Sequence, residues 1–219
     1  MLSFDDGPVP DSTDRVLKML MTLSNTNGSQ VVAAFFLLGD APDTFWQRRH
    51  YYAPYELWTD KGSIARYPDV ARRIQQAGHI IGNHSTHHTW FHWPWLDTKD
   101  DILAELTEWE EIATPVLGVQ GERLFRPPYF ILTPHVREVA ESRGYQIVLG
   151  ESVGEATPNM TLAQIKQQAE RILTTWDKPY PCVLVFHDMR PATYEHLDEI
   201  VGYLQQKNFR LIDFDAARL

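Results

Sequence analysis

A single cysteine, Cys182, stands among 219 residues, so no disulfide can close within the chain and no cysteine cluster can hold a metal. Its setting, Cys182-Val183-Leu184-Val185-Phe186, is that of a buried strand, where a lone thiol is a packing residue rather than a nucleophile. It leaves the redox compartment open. No run of about 18 apolar residues occurs, so there is no candidate membrane-spanning helix. Basic charge is also scarce. The formal net charge of −9 is opposite in sign to the face that nucleic acid requires, and it disfavours a strongly anionic substrate. Repeats and low-complexity tracts are absent. With 43% apolar and 22% charged residues, the length fits one α/β domain over residues 1–219 with one sizeable core. Only Met1-Leu2-Ser3-Phe4 precede the first acidic residues, so no export signal is seen. Two expectations follow from that. Either the chain is trimmed and works outside the cytoplasm (extracellular, periplasmic or at the cell envelope), or it is cytoplasmic.

What the sequence does have is a pair of carboxylates and a crowd of histidines. Ser3-Phe4-Asp5-Asp6-Gly7-Pro8 ends a short apolar run. Side chains alternate along a strand, so as the chain turns Asp5 and Asp6 can approach one point from different angles, one on a metal and the other facing water. About eighty residues later comes Gly82-Asn83-His84-Ser85-Thr86-His87-His88. His84 and His88 would share a face if that stretch were helical, as in other sites where two imidazoles hold one divalent ion. Asp6, His84 and His88 then make three protein ligands and leave a position open for water and substrate, as a catalytic zinc requires. Each segment alone has a plainer reading. Asp-Asp-Gly-Pro is an ordinary turn sequence, and nine histidines place some pairs four apart by chance.

Strand and helix signals alternate along the rest of the chain, as βα units demand. Helices are expected over residues 11–23, 68–77, 100–117, 134–143, 161–176 and 194–207, and strands over 31–38, 124–125, 145–149, 183–186 and 209–214. The candidate site residues fall at or just beyond strand ends, where α/β barrels place their chemistry.

In the order Ser3 to Pro8, His84 to His88, Arg126-Pro127-Pro128-Tyr129 and Val185-Phe186-His187-Asp188, the chain resembles the polysaccharide deacetylases, carbohydrate esterase family four. The resemblance implies a distorted (β/α) barrel with fewer than eight regular units, and a metal-dependent hydrolase that removes N-acetyl groups from an acetylated sugar or polysaccharide. By the same resemblance Asp5 is the general base, and Asp6, His84 and His88 are the metal ligands. Arg126 pairs with Asp5, His187 protonates the leaving amine, and Tyr129 lends its backbone N–H to an oxyanion hole. Two nitrogens and one carboxylate oxygen suit zinc, with cobalt, nickel and manganese also compatible. A second register, His88-Thr89-Trp90-Phe91-His92, fits the histidine pattern as well, but Gly82-Asn83 and the apolar residues before them favour His84 and His88. His87 and His92 are then polar neighbours.

Several positions depart from the family pattern. Phe130 stands where the family often has glycine and is expected to crowd the oxyanion region. The family's aspartate and tryptophan that support the catalytic histidine are replaced by Gly150-Glu151-Ser152-Val153-Gly154-Glu155, which leaves Glu151 and Glu155 as alternative supports for His187. An aromatic-rich insertion over about residues 41–67 contains Phe45, Trp46, Tyr51, Tyr52, Tyr55 and Trp58, and Trp90, Phe91, Trp93 and Trp95 follow the histidines. These rings offer either flat surfaces for pyranose rings or a second small core. Arg48, Arg49 and Arg66 nearby are candidates for an anionic group on a substrate, or else surface charge. Two other functions stay open beside N-deacetylation. One is esterase action on O-acetyl glycans of the acetylxylan type, and the other is carbohydrate binding without turnover.

Overall fold

Every strand of the computed structural model runs in the same direction as its neighbours. In chain order they are β1 (Leu2–Asp5), β2 (Ala34–Leu37), β3 (Ile80–Asn83), β4 (Leu124–Phe125), β5 (Gln146–Ile147), β6 (Glu151–Ser152) and β7 (Leu184–His187). Parallel neighbours need crossovers. Most of these carry a helix from the set α1 (Ser12–Thr22), α2 (Phe45–Tyr51), α3 (Pro68–Gln76), α4 (Lys99–Leu117), α5 (Pro134–Ser142), α6 (Leu162–Thr175) and α7 (Pro191–Gln206). The structure describes residues 1–93, 95–118, 123–157 and 159–219. One sheet holds all seven strands in the order β5-β4-β3-β2-β1-β7-β6. It curls into a half-barrel with β5 and β6 as its edges, the distorted (β/α) barrel expected. No described helix is long and apolar enough to cross a membrane.

Alternation along the strands sorts the core into two layers. Leu2, Phe4, Phe35, Leu37, Leu184 and Phe186 lie under the helices with Val16, Leu20, Leu197 and Ile200. Ala34, Phe36, Leu124, Val183 and Val185 line the inner face. Ser3 and Asp5 share the parity of the inner set, so β1 carries its first carboxylate to the concave side. Helices α4, α5 and α6 start where threonine hydroxyls satisfy their first amides. Thr98, Thr133 and Thr161 accept from the N–H groups of Asp101, Val136 and Gln164.

Two strand expectations are corrected. The apolar run 31–38 pairs only over Ala34–Leu37, and residues 209–214 form no strand. The cause is a side chain in the place of a backbone group. Asp213 Oδ1 accepts from the Val32 amide at 2.8 Å, and Asp213 Oδ2 from Asn25 Nδ2 at 2.7 Å. The Phe214 amide reaches a backbone carbonyl across this gap, that of Val32 at 2.8 Å. A two-residue strand at Glu151–Ser152 was not expected. It forms through the Glu151 and Val153 amides, which donate to the carbonyls of Val183 and Val185 at 2.9 and 3.3 Å.

Sheet register gathers the site. Asp5 lies opposite His187, Leu37 opposite Asn83, and Asn83 opposite Phe125. The residues that follow these positions, Asp6, His84, Arg126 and Asp188, therefore leave the carboxyl ends of neighbouring strands together.

Candidate functional site

Beyond β3 the chain does not enter a helix, which corrects the helical face expected for the histidines. Ser85 and His88 hold positive φ, 66° and 58°. The Ser85 amide donates to Asn83 Oδ1 at 2.7 Å, and the carbonyls of Ser85 and Thr86 accept from Gly39 and Asp40. The turn still brings the imidazoles of His84 and His88 to 5.2 Å between centroids. Strained backbone concentrates here. Of the eight described non-glycine residues at positive φ, five are Asp6, Ser85, His88, Tyr129 and Phe130. Such residues persist only where their surroundings enforce the conformation, as at functional sites.

One ligand atom from each of Asp6, His84 and His88 lies within 4.8 Å of the other two. Asp6 Oδ1 is 3.5 Å from His84 Nε2 and 3.0 Å from His88 Nε2. That oxygen is buried and accepts no hydrogen bond, which for a buried polar atom calls for a missing partner. His84 Nδ1 lies 2.7 Å from the Arg126 carbonyl oxygen. A carbonyl can only accept, so Nδ1 carries the hydrogen and a neutral ring turns a lone pair at Nε2 toward Asp6. Burial drives the His88 imidazole toward its neutral form despite Asp6. Burial pushes the Asp6 carboxyl up, but His88 and Lys61 outweigh it and hold Asp6 well below the usual carboxylate range. Two imidazoles and one carboxylate are the donor set of a zinc-type site, and the residues fit a divalent cation.

Asp5 stands beside this trio, its Oδ2 3.9 Å from His84 Nε2. Its other oxygen accepts from Arg126 Nη1 at 2.7 Å. Arg126 is fully buried. Its guanidinium also reaches Ser3 Oγ at 2.9 Å and the Val148 carbonyl at 3.1 Å, and lies 4.0 Å above the Phe36 ring. His187 closes the far side, with Nε2 3.9 Å from Asp6 Oδ2. Glu155 is its support. Oε1 of Glu155 accepts from the His187 amide at 2.6 Å and meets His187 Nδ1 at 2.7 Å, while Glu151 lies exposed in β6. Burial disfavours the imidazolium, yet Glu155, with Asp6 and Asp5 behind it, raises the His187 pKa to about 9. Asp188 accepts from Thr13 Oγ1 at 2.5 Å and fills the space beside Gly7. A Cβ on Gly7 would sit 2.5 Å from Asp188 Oδ2, which explains the glycine in Asp-Asp-Gly-Pro.

The Tyr129 ring packs 4.5 Å from that of His88. Its hydroxyl donates to Glu56 Oε2 at 2.9 Å and accepts from the Ala53 amide at 3.1 Å, tying the insertion to the site. Phe130 packs 5.8 Å from the Arg126 guanidinium and against the inner core layer. His87 pairs with Glu105 and stacks on Tyr51 at 4.3 Å. The aromatic residues divide between the two roles considered. Tyr52 and Phe91 are fully buried, whereas Trp46, Tyr55, Trp58 and Trp95 are 72%, 73%, 82% and 54% exposed. Arg48 and Arg66 are engaged within the insertion by Asp60 and Asp43. Sequence reasoning missed Glu56 and Lys61, two ionisable residues of the insertion that reach the metal ligands. No motif marks them.

Residues 1–148 match the model of the polysaccharide deacetylase family. The chain belongs to the polysaccharide deacetylase family. It is 25% identical over 205 residues to chitin deacetylase 1 of Saccharomyces cerevisiae, an alignment covering 91% of this chain and 56% of that protein. The chain thus spans about half the length of that relative. Its fold superposes on a family 4 carbohydrate esterase from Streptomyces lividans in complex with acetate, with a TM-score of 0.70, 21% identity, and coverage of 99% of this chain and 92% of that one. A family 4 acetyl xylan esterase from Clostridium thermocellum, in complex with a cobalt ion, gives a TM-score of 0.67, 22% identity, and coverage of 97% and 86%. This family fold is the scaffold on which Asp6, His84 and His88 of the present chain converge.

Proposed function

We propose that the chain is a metal-dependent hydrolase that removes N-acetyl groups from an acetylated glycan. The observation that carries this reading is the flanking of one ligand trio, Asp6, His84 and His88, by Asp5 on one side and His187 on the other. A divalent cation held by the trio would polarise the acyl carbonyl and acidify water beside it. In this reading Asp5 would take a proton from the attacking water, held in aim by the 2.7 Å hydrogen bond from Arg126. His187 carries a proton at neutral pH, because its pKa is raised to about 9 against burial, chiefly by Glu155. It can give that proton to the departing nitrogen. An amine leaves poorly unless protonated, so a histidine held in its acid form favours amide over ester cleavage. Tyr129, at φ 57°, is assigned to the carbonyl oxygen through its backbone N–H.

Zinc is the cation the donor set favours. Trp46, Tyr55 and Trp58 are exposed; Tyr55 packs edge-on to Tyr129 at 6.0 Å, and Trp46 and Trp58 both pack on Phe45. Flat apolar faces beside an acetyl-cleaving centre suit the C–H faces of neutral pyranose rings, and the net charge of −9 disfavours a polyanion. A second reading, O-acetyl ester hydrolysis, is favoured by the likeness to the acetyl xylan esterase. A binding module without turnover has no need of a base, an acid and a ligand trio at one point. Acetate release from N-acetylated chitooligosaccharides and from acetylxylan, with and without a chelator, separates the three. The expected result is chelator-sensitive release from the chitooligosaccharide. Release from acetylxylan alone means an esterase, and release from neither means a binding protein.

A further inference from the structure

Lys61 is the one lysine among the described residues whose side chain is buried, and it ends on a metal ligand. Its Nζ donates to Asp6 Oδ2 and lies 3.2 Å from Glu56 Oε2, with the Tyr52 ring 5.7 Å away. Glu56 is held in turn by the Tyr129 hydroxyl at 2.9 Å, and its Oε2 stands 3.6 Å from His88 Nδ1. The next residue fixes the reach of the lysine. The Gly62 amide donates to the Asp6 carbonyl at 3.0 Å, and a Cβ on Gly62 would lie 1.9 Å from the Pro8 carbonyl oxygen. The two oxygens of Asp6 are thereby given different tasks. Oδ1 faces both histidine Nε2 atoms, and Oδ2 is taken by the ammonium.

We propose that Lys61 and Glu56 are positioning residues that set the divalent-metal affinity of the site in opposite directions. Lys61 restricts Asp6 to one donor oxygen and places a fixed positive charge beside the cation site, so it weakens metal binding. Glu56 stands behind the Nδ1 of His88 and neutralises part of that charge, so it strengthens binding. The physical basis is that like charges held close in a water-poor site repel far more strongly than they do in solvent, and that groups behind the ligands tune a metal as much as the ligands do. This inference rests on the reading that Asp6, His84 and His88 hold the cation.

The test is the zinc dissociation constant of metal-stripped protein, measured by competition with a chromophoric chelator and checked for folding by circular dichroism. Lys61→Met is expected to bind zinc about tenfold more tightly than the unsubstituted chain, and Glu56→Gln about tenfold more weakly. A merely structural role would loosen the site in both variants. Lys61→Gln is measured alongside, so that the sign of the lysine effect is read even if the methionine variant does not fold. Unchanged or weaker zinc binding in the folded lysine variants, or unchanged or tighter binding in Glu56→Gln, overturns the proposal. An unsubstituted chain that binds no zinc overturns the metal site itself, an outcome distinct from variants that bind zinc with the wrong order of affinity.

Discussion

Arg126 braces His84 with its backbone and Asp5 with its side chain. The imidazole Nδ1 of His84 rests 2.7 Å from the Arg126 carbonyl oxygen, while the Arg126 side chain turns back 2.7 Å from Asp5. A single residue after β4 thus sets the tautomer of His84 and the aim of Asp5, which in the proposed function would couple binding of the cation to placement of the carboxylate.

Arg126→Met is expected to cost about 3–5 kcal/mol of stability, because it leaves the buried Asp5 carboxylate without its counter-charge. Turnover is expected to fall at least about a hundredfold through misplacement of the base. Urea denaturation and acetate release check the two effects. Stability within about 0.5 kcal/mol of the unsubstituted chain, the range of an ordinary surface change, would contradict the buried pairing.

If His187 is the proposed acid, its pairing with Glu155 should set the alkaline limb of activity. The folded-state pKa of His187, about 9, lies above the ordinary 6.5. The stability gained from its proton is therefore complete below about pH 6.5 and is lost as pH rises through about 9. Turnover follows the same proton and should decline through about pH 9. Glu155→Gln removes the main cause of the elevation, so the decline should begin at lower pH. A pH–rate profile that is the same in both proteins would show that the limb belongs to another group.

Gly62→Ala should destabilise the chain by about 1–3 kcal/mol, the usual cost of overpacking, since the new methyl would meet backbone atoms of Pro8 at 1.9 and 2.5 Å. Equilibrium denaturation measures it. A neutral effect would mean that the insertion is not clamped against the Asp5-Asp6-Gly7-Pro8 segment.

Trp46→Ala and Trp58→Ala remove exposed rings and should change stability by less than about 0.5 kcal/mol. They should raise KM for a long acetylated polymer while leaving kcat on a short oligosaccharide unchanged. Equal KM values on the polymer would assign these rings to another purpose.

Much of the site was legible in the sequence because its members sit at the last residue of a strand or one residue past it, where the covalent order of Asp5, Asp6, His84, Arg126 and His187 carries the signal. The alternation of strands and helices was legible for a related reason, while the barrel itself came from the resemblance to the family, which the alternation fits. Glu56 and Lys61 were not legible. They lie in the aromatic-rich insertion, in a stretch with no periodicity, and their contacts arise only when Tyr129 and Gly62 fold the insertion onto Asp6. The alternation at 209–214 misled because burial on both sides mimics a strand even where Asp213 takes the place of the ladder. The choice between Glu151 and Glu155 needed the turn at Gly154, which a window of sequence does not show.

Substitution of the two aspartates separates their roles. Asp5→Asn should abolish turnover at near-normal metal content, because Asp5 stands beside the trio rather than in it. Asp6→Asn and His84→Ala should lose metal as well. Elemental analysis of the purified variants, paired with acetate release, reads both properties. Full activity in Asp5→Asn would remove it from the role of base.

The most direct measurement is acetate release from an N-acetylated chitooligosaccharide by chelator-stripped protein as zinc is returned in steps. Activity should be absent at the start and should reach its plateau at one zinc per chain, with no recovery in His84→Ala at the same zinc concentrations. Equal acetate release before and after stripping would contradict a cation held by Asp6, His84 and His88 as the centre of the chemistry.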